Sequence, residues 1–315
     1  MYSTTYGVFA ISLFAGASLA GCGGSASDSQ VAAGGANSTA QGGGVILIPI
    51  GNAGSSMSSG GAGSVYPTAL PAGFNAADKF GGFKLGDPIP AGETGSAGAP
   101  SGTEGCGTTI LAVIRDFKAD GKNFQGTTGD DRNLVKPELG ADHKPVFAPS
   151  GPSRTVQDPA QFSDWYRTVD GLNQAFKLEI WFGPNQGVNS FQSTKFFPLD
   201  GVGWGDEGHG HNFFFTTEIH TQFKYGGGEK FNFTGDDDVW VFINNKLAID
   251  LGGVHAAENA SVDIDARATE LGLVKGQVYP FDMFQNERHT TESNFRADTT
   301  LNFVDCGTII PDGPK

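Results

Sequence analysis

The stretch FNFTGDDDVWVFINNKLAIDLGGVH, residues 231–255, decides the fold. Phe231 and Phe233 alternate before three consecutive carboxylates. Val239, Val241 and Ile243 alternate after them. A period of two marks a half-buried strand. The stretch therefore predicts two strands joined by an acidic loop. Asn244-Asn245 then supplies a two-residue turn, because Asn tolerates positive φ in a type I′ hairpin. Leu247, Ile249 and Leu251 alternate in the returning strand. Asp236, Asp237 and Asp238 repel one another in so short a loop. Full solvation or a bound cation must favour the arrangement.

Outward from this stretch, TTILAVIRDF at 108–117 predicts a buried first strand, and FKLEIWF at 176–182 another. Residues 212–225 give two strand-like pieces before the turn Gly226-Gly227-Gly228. QVYPFDMF at 277–284 and DTTLNFVD at 298–305 read as the last two strands. Residues 161–165 start a short helix or a turn. At least eight short strands with few helical signals predict an all-β fold: an antiparallel β-sandwich or jelly roll of about 200 residues.

The chain has 315 residues and a formal net charge of −14, which argues against nucleic acid as a partner. Its 48 Gly and 25 Phe suggest flexible tracts beside a turn-rich β core. Residues 7–20, GVFAISLFAGASLA, form an apolar segment of signal-peptide length, too short for a comfortable membrane span. It ends in Leu19-Ala20-Gly21-Cys22, which resembles a bacterial lipobox with Cys22 as the lipidated residue. No Lys or Arg precedes Cys22, a departure from the usual positive n-region. An ordinary secretory signal cut near Ala20 is the alternative, giving a secreted protein. In Gram-negative lipoproteins, Gly23 after the cysteine implies sorting to the outer membrane. Residues 22–105 read as a Gly/Ser/Ala-rich tether and loosely packed lead-in, interrupted by VILIPI at 45–50. Roughly 40 such residues reach ~35 Å.

The organisation expected is thus a signal at 1–21, a tether at 22–105, a folded domain at 106–306 and a tail at 307–315. For an exported protein, Cys106 and Cys306 suggest a disulfide across about 200 residues, worth at most ~5 kcal/mol. Two buried thiols are the other reading.

The stretch at 231–255, with GQVYPFDMFQNERHTTESNFR at 276–296, resembles the fibro-slime domain. That family is similar to the protective-antigen-type β-sandwich module, which also forms the sugar-binding domain of yeast flocculins and epithelial adhesins. The likeness spans roughly 106–306 and is strongest over 213–255 and 276–303. In the lectin members, two adjacent aspartates and an Asn from a later loop hold one Ca²⁺, which also binds neighbouring sugar hydroxyls. Carried over, the resemblance implies Asp236, Asp237 and Asn286 as metal ligands. Two features depart from the lectin pattern: a third acid, Asp238, and the run Glu287-Arg288-His289 after Asn286. Asp238, Arg288, His289 and His255 are candidate ligand contacts.

Ca²⁺ takes six to eight oxygens, which suits such a set. Adjacent aspartates on a strand point apart, so one ion can hold both only through an unusual peptide, such as a cis bond. The competing reading has Asp236–Asp238 making turn bonds and facing water. Bland roles also exist for the other residues: Asp250 caps the Gly252-Gly253 turn, His255 is structural, and Arg288 forms an internal salt bridge. His209 and His211 have metal-ligand spacing but no third partner. Trp181 and Trp204 read as core or rim aromatics. No GxSxG, HExxH or P-loop points to an enzyme. The function expected is a surface-anchored module recognising an extracellular glycan or matrix component through Ca²⁺. A matrix protein acting by protein–protein contact is the alternative.

Overall fold

The computed structural model describes residues 69–92, 95–96 and 108–310. Two antiparallel sheets form the sandwich. The larger runs in the order Asn75–Ala76, Gly82–Ile89, Gln174–Trp181, Thr109–Asp116, Phe215–Lys224, Val278–Glu287, Val239–Ile243 and Lys246–Leu251. Phe303–Asp305 also pairs with Phe215–Lys224. The smaller sheet runs Glu258–Asp263, Lys230–Gly235, Phe295–Thr299, Val188–Ser193 and Gly183–Asn185.

Facing side chains of the two sheets make the main core. Val239, Val241, Ile243 and Met283 from one sheet meet Phe231, Phe233 and Phe295 from the other. The alternation in the opening stretch is this face. Trp240, Phe242 and Phe284 point the opposite way. They build a second core with Phe124, Phe162, Trp165 and Tyr166, contributed by loop-rich chain between Thr109–Asp116 and Gln174–Trp181. All five residues of Val239–Ile243 are therefore buried, as expected of a strand covered on both faces.

Three expectations need correction. The sheet begins before residue 106: Gly82–Ile89 pairs with Gln174–Trp181 at the sheet's flank. The alternating pair Phe83 and Leu85 packs against the core from within a Gly/Pro-rich tract whose composition reads as linker. Residues 298–305 do not form one strand. Phe295–Thr299 belongs to the small sheet and Phe303–Asp305 to the large one. Residues 212–225 form one strand, Phe215–Lys224, rather than two pieces. The helix Ile264–Leu271 was not expected. It is capped by the Asp263 carboxylate on Ala266 N and ends at Gly272 with φ 73°. The Asn244-Asn245 turn has φ of 52° and 62°, as anticipated.

Cys306 is disulfide-bonded. Its expected partner Cys106, the lipidation candidate Cys22 and the VILIPI segment all lie outside the described residues.

Candidate functional site

The acidic run is a crossover between sheets. Lys230–Gly235 lies in the small sheet and Val239–Ile243 in the large one, and Asp236, Asp237 and Asp238 carry the chain across. A second crossover runs beside it the other way, from Val278–Glu287 to Phe295–Thr299. Register locks the two together, with Val239 opposite Gln285 and Gly235 opposite Phe295. Backbone bonds continue across the gap: Asp237 N donates to Asn286 O (2.9 Å), Asn286 N to Asp238 O (3.0 Å) and Asp236 N to Asn294 O (3.3 Å). The Asp236–Asp237 peptide is cis.

The three aspartates are all buried, at 3%, 5% and 0% exposure, yet their surroundings differ. Asp238 is fully compensated. Arg288 Nε donates to its Oδ2 (2.6 Å) and Gly253 N to its Oδ1 (2.7 Å). The remaining Arg288 donors reach Asn123 O and Thr155 O, both at 2.9 Å, and Thr155 Oγ1 at 3.2 Å, while the guanidinium lies 4.8 Å from the Trp165 ring centre. Asp238 and Arg288, both expected as ligand contacts, are thus a closed internal pair with no side-chain surface. The salt-bridge reading of Arg288 describes its place.

Asp236 accepts from Asn294 twice, from its N–H (2.6 Å) and its Nδ2 (2.7 Å). Burial nevertheless raises its pKa, and Glu292 adds to the rise. Asp237 accepts a hydrogen bond from Arg288 N (2.9 Å). Burial pushes its carboxyl well above the usual range, against the pull of the Arg288 guanidinium, and the charges of Asp238 and Asp236 push it further. Glu287 joins these two. It is 1% exposed, and neither of its carboxylate oxygens forms a full hydrogen bond. Burial, then Asp237 and Asp236, hold its pKa well above normal; Ser293 and the His289 N–H relieve this only in part. Three carboxyl groups therefore cluster where the charged form of each is disfavoured.

Asn286 is completely buried, and its carboxamide is already engaged. Tyr166 Oη donates to Oδ1 (2.5 Å), and Nδ2 donates to Asp238 Oδ2 (3.3 Å). Side chains alternate along the strand, so Asn286 shares a face with Phe284 and Arg288, whereas Gln285 and Glu287 share the other. Gln285 Nε2 donates to the Asp236 carbonyl (3.1 Å) on that second face. The asparagine whose side chain binds Asp236 is Asn294, eight residues later. Sequence reasoning passed over it, although the pairing of Gly235 with Phe295 sets Asn294 beside Asp236.

The other candidates sit as follows. Half-buried His255 contacts Ala256 O and Leu251 O, and its charge acts on Asp236. His289 Nδ1 meets Thr290 O. Asp250 caps Gly252 N (3.0 Å) and also accepts from Trp240 Nε1 (3.1 Å) and Asn133 N (2.8 Å). His209 packs edge-on to Phe214, while His211 stacks on Phe197. Trp181 is buried, and Trp204 lies under the Lys118 ammonium at 4.0 Å. Among the described residues no three His, Cys, Asp or Glu side chains are set to hold a metal between them. A cation here would take the Asp236–Asp237 pair and complete its shell from neutral oxygens. The donors are all oxygen, and two of the carboxylates lack a cationic side-chain partner, which fits a hard divalent ion.

An antiparallel sandwich with an acidic crossover at one end is thus the class that fold and site define. Residues 173–312 match the model of the PA14 domain. Proteins of similar sequence include psiR, psiD and psiQ of Dictyostelium discoideum. PsiR is 40% identical over 220 residues, which is 63% of this chain and 21% of psiR. PsiD is 40% identical over 207 residues, 61% of this chain and 40% of psiD. PsiQ is 36% identical over 206 residues, 59% of this chain and 20% of psiQ. The chain thus spans between about a fifth and two-fifths of the length of these relatives. Solved structures that align with it include the PA14 domain of the MpAFP antifreeze protein, at 13% identity and TM-score 0.29 over 63% of this chain and 89% of that one. The A domain of epithelial adhesin 9 from Candida glabrata, in complex with Galβ1-4GlcNAc, aligns at 13% identity and TM-score 0.29 over 72% of this chain and 98% of that one.

Proposed function

We propose that this chain is a calcium-dependent carbohydrate-binding module acting in adhesion or in extracellular matrix. The observation that carries the reading is the pair Asp236–Asp237: adjacent, buried carboxylates without a cationic side-chain partner, next to a third uncompensated acid, Glu287. Burying ionised carboxylates without a counter-charge is costly. A bound cation removes that cost. Asn294 holds Asp236 in place through two hydrogen bonds, and Arg288 N holds Asp237. The Asp238–Arg288 pair beside them is fully buried and turned inward. A bound Ca²⁺ would supply open coordination positions that neighbouring sugar hydroxyls can fill, as the lectin relatives of the resemblance imply.

The same reading includes export with a lipid anchor at Cys22, which places the domain at the outer membrane or cell surface, and a Cys106–Cys306 disulfide. Mass spectrometry of the mature protein tests both modifications. For binding, a glycan array probed with and without chelator is the direct test. Calcium-dependent signals on defined glycans support the reading, and equal signals or none in the two conditions overturn it.

A further inference from the structure

A buried charge cluster on the outer face of the large sheet has no part in the reading above. Thr216, Glu218 and His220 share that face of Phe215–Lys224, and Asp282 stands opposite His220 in the register. His220 and Asp282 are 5% and 3% exposed. Asp282 Oδ1 lies 2.6 Å from His220 Nδ1, and Glu218 Oε1 lies 2.6 Å from His220 Nε2. The Phe284 ring packs edge-on against the imidazole, with centroids 5.5 Å apart.

Hydrogen bonding sets the proton count. A neutral imidazole has one N–H and one lone pair, and an ionised carboxylate only accepts. Carboxylate oxygens against both ring nitrogens therefore need one proton more than neutral His220 carries. Burial would protonate Glu218, but Lys144 and Arg115 outweigh it and keep the carboxyl ionised. Burial likewise favours a neutral His220, but the hydrogen bonds to Asp282 and Glu218 outweigh it and raise the pKa above the ordinary 6.5. The extra proton thus belongs to the ring. Asp282 Oδ2 has no hydrogen-bond partner, so the ring proton on Oδ1 is what compensates this carboxylate.

That proton is tied to residues 117–172, the segment that covers this face. Lys144 Nζ donates to the same Glu218 Oε1 that faces His220. Thr216 Oγ1 donates to Trp165 O (2.6 Å). The segment also grips the acidic crossover: Asn123 O and Thr155 O accept from Arg288, and Tyr166 Oη donates to Asn286 Oδ1. Without the extra proton, a ring lone pair faces a carboxylate oxygen in a buried site. The two must move apart, which draws Glu218 from Lys144 or the ring from Asp282.

We infer that His220 is a proton-operated latch that clamps residues 117–172 onto the large sheet and, through Arg288, steadies the crossover. The charged groups that face it are Glu218 from its own strand and Asp282 from the neighbouring one; Arg115 and Lys144 reach it through Glu218. The clamp is complete below the unfolded value of 6.5 and is lost as pH rises through the folded pKa, which lies above it. The inference is independent of any cation or glycan.

Hydrogen-exchange mass spectrometry on the full chain, with rates divided by the intrinsic rate at each pH, tests it. Protection in residues 134–148 should fall at least about tenfold between about pH 6 and about pH 9, while the strand Phe295–Thr299 stays unchanged. Nitrogen NMR of the His220 ring, assigned with His220→Gln, should show a single deprotonation above pH 6.5 with the same midpoint. Asp282→Asn keeps an acceptor for the Nδ1 proton but removes the charge, so both midpoints should move down together by about one unit or more. Protection that ignores pH, a ring midpoint at or below 6.5, or an exchange midpoint that stays in place when the ring's midpoint moves overturns the latch. Should Asp282→Asn fail to fold, the two wild-type midpoints decide: equal values support the latch and unequal values overturn it.

Discussion

Two clusters of buried charge lie in this sandwich, and they are resolved in opposite ways. On the outer face of the large sheet, Glu218 accepts from Arg115 (2.5 Å), from Lys144 and from His220 Nε2 (2.6 Å), and His220 Nδ1 meets Asp282 (2.6 Å). Burial alone would raise the Glu218 pKa, but Lys144 and then Arg115 bring it well below the ordinary value. For His220, burial acts downward, but its bonds to Asp282 and Glu218 prevail and raise its pKa. At the crossover, burial wins for Asp237 and Glu287, because the nearest cation, Arg288, is committed to Asp238. Burial is common to both clusters, so burial does not mark a site. What distinguishes the crossover is that Asp236, Asp237 and Glu287 have no salt-bridging side chain of their own, and burial outweighs the charges that do act on them.

The comparison breaks most visibly at Glu218. Glu218→Gln leaves Lys144 and Arg115 buried without their shared carboxylate. It should cost about 3–5 kcal/mol, or roughly 10 °C in melting temperature, at neutral pH. The sign with pH follows from the lowered folded pKa. The contribution of Glu218 is present above its unfolded value of 4.5 and is lost as pH falls below it. The gap in stability between wild type and variant should therefore start to narrow as pH falls below 4.5 and close only below the folded pKa, well under that value, read from melts across pH. Next comes Arg288→Met, which strands Asp238 at 0% exposure. It should cost about 3–5 kcal/mol in urea unfolding, and chelator should not alter that cost.

The effects at the crossover are smaller and depend on the cation. Calcium at about 100 times its Kd should stabilise the wild type by ~2.7 kcal/mol. The double variant Asp236→Asn, Asp237→Asn should lose this increment, and in chelator should lose only about 1 kcal/mol, for the one Asn294 hydrogen bond that a carboxamide at 236 cannot accept. Glu287→Gln sharpens the contrast most finely. Replacing an unpaired buried carboxylate should leave the protein unchanged or more stable by about 1–3 kcal/mol in chelator, measured by thermal melts. The same chemical change is thus expected to damage one cluster and relieve the other.

Much of the fold was legible because one face of each strand has a period of two. Phe231, Phe233, Val239, Val241 and Ile243 line the inter-sheet core as their spacing predicts. The turn at Asn244-Asn245 was equally plain, because few residues other than Gly adopt positive φ so readily. Trp240 and Phe242 were hidden by the same alternation. Their partners come from residues 117–172, whose sequence has no regular period, so a second core on the reverse face leaves no local signature. Gly82–Ile89 was masked by its Gly and Pro, which report on turns but not on the sheet that captures Phe83 and Leu85.

At the site, the aspartate run stood out by its charge, and the crossover explains its burial. The neighbouring asparagine was misplaced by register. Asn286 follows the strand in sequence, but the pleat turns its amide toward Tyr166 and Asp238. Asn294 reaches Asp236 from the far side of the return crossover, a relation that depends on the pairing of Gly235 with Phe295. Glu287 was visible only as a charge beside an arginine. Its isolation from Arg288 comes from the same two-residue alternation.

The central claim is that the crossover acids lack a salt-bridging side chain of their own because a cation takes its place. Calcium titration of the full chain by calorimetry, paired with melts in calcium and in chelator, tests this most directly. The account predicts saturable binding of one ion per chain and a melting temperature raised by calcium, with both effects absent in the Asp236→Asn, Asp237→Asn variant. Identical melting temperatures in calcium and chelator, with no heat of binding, would contradict it.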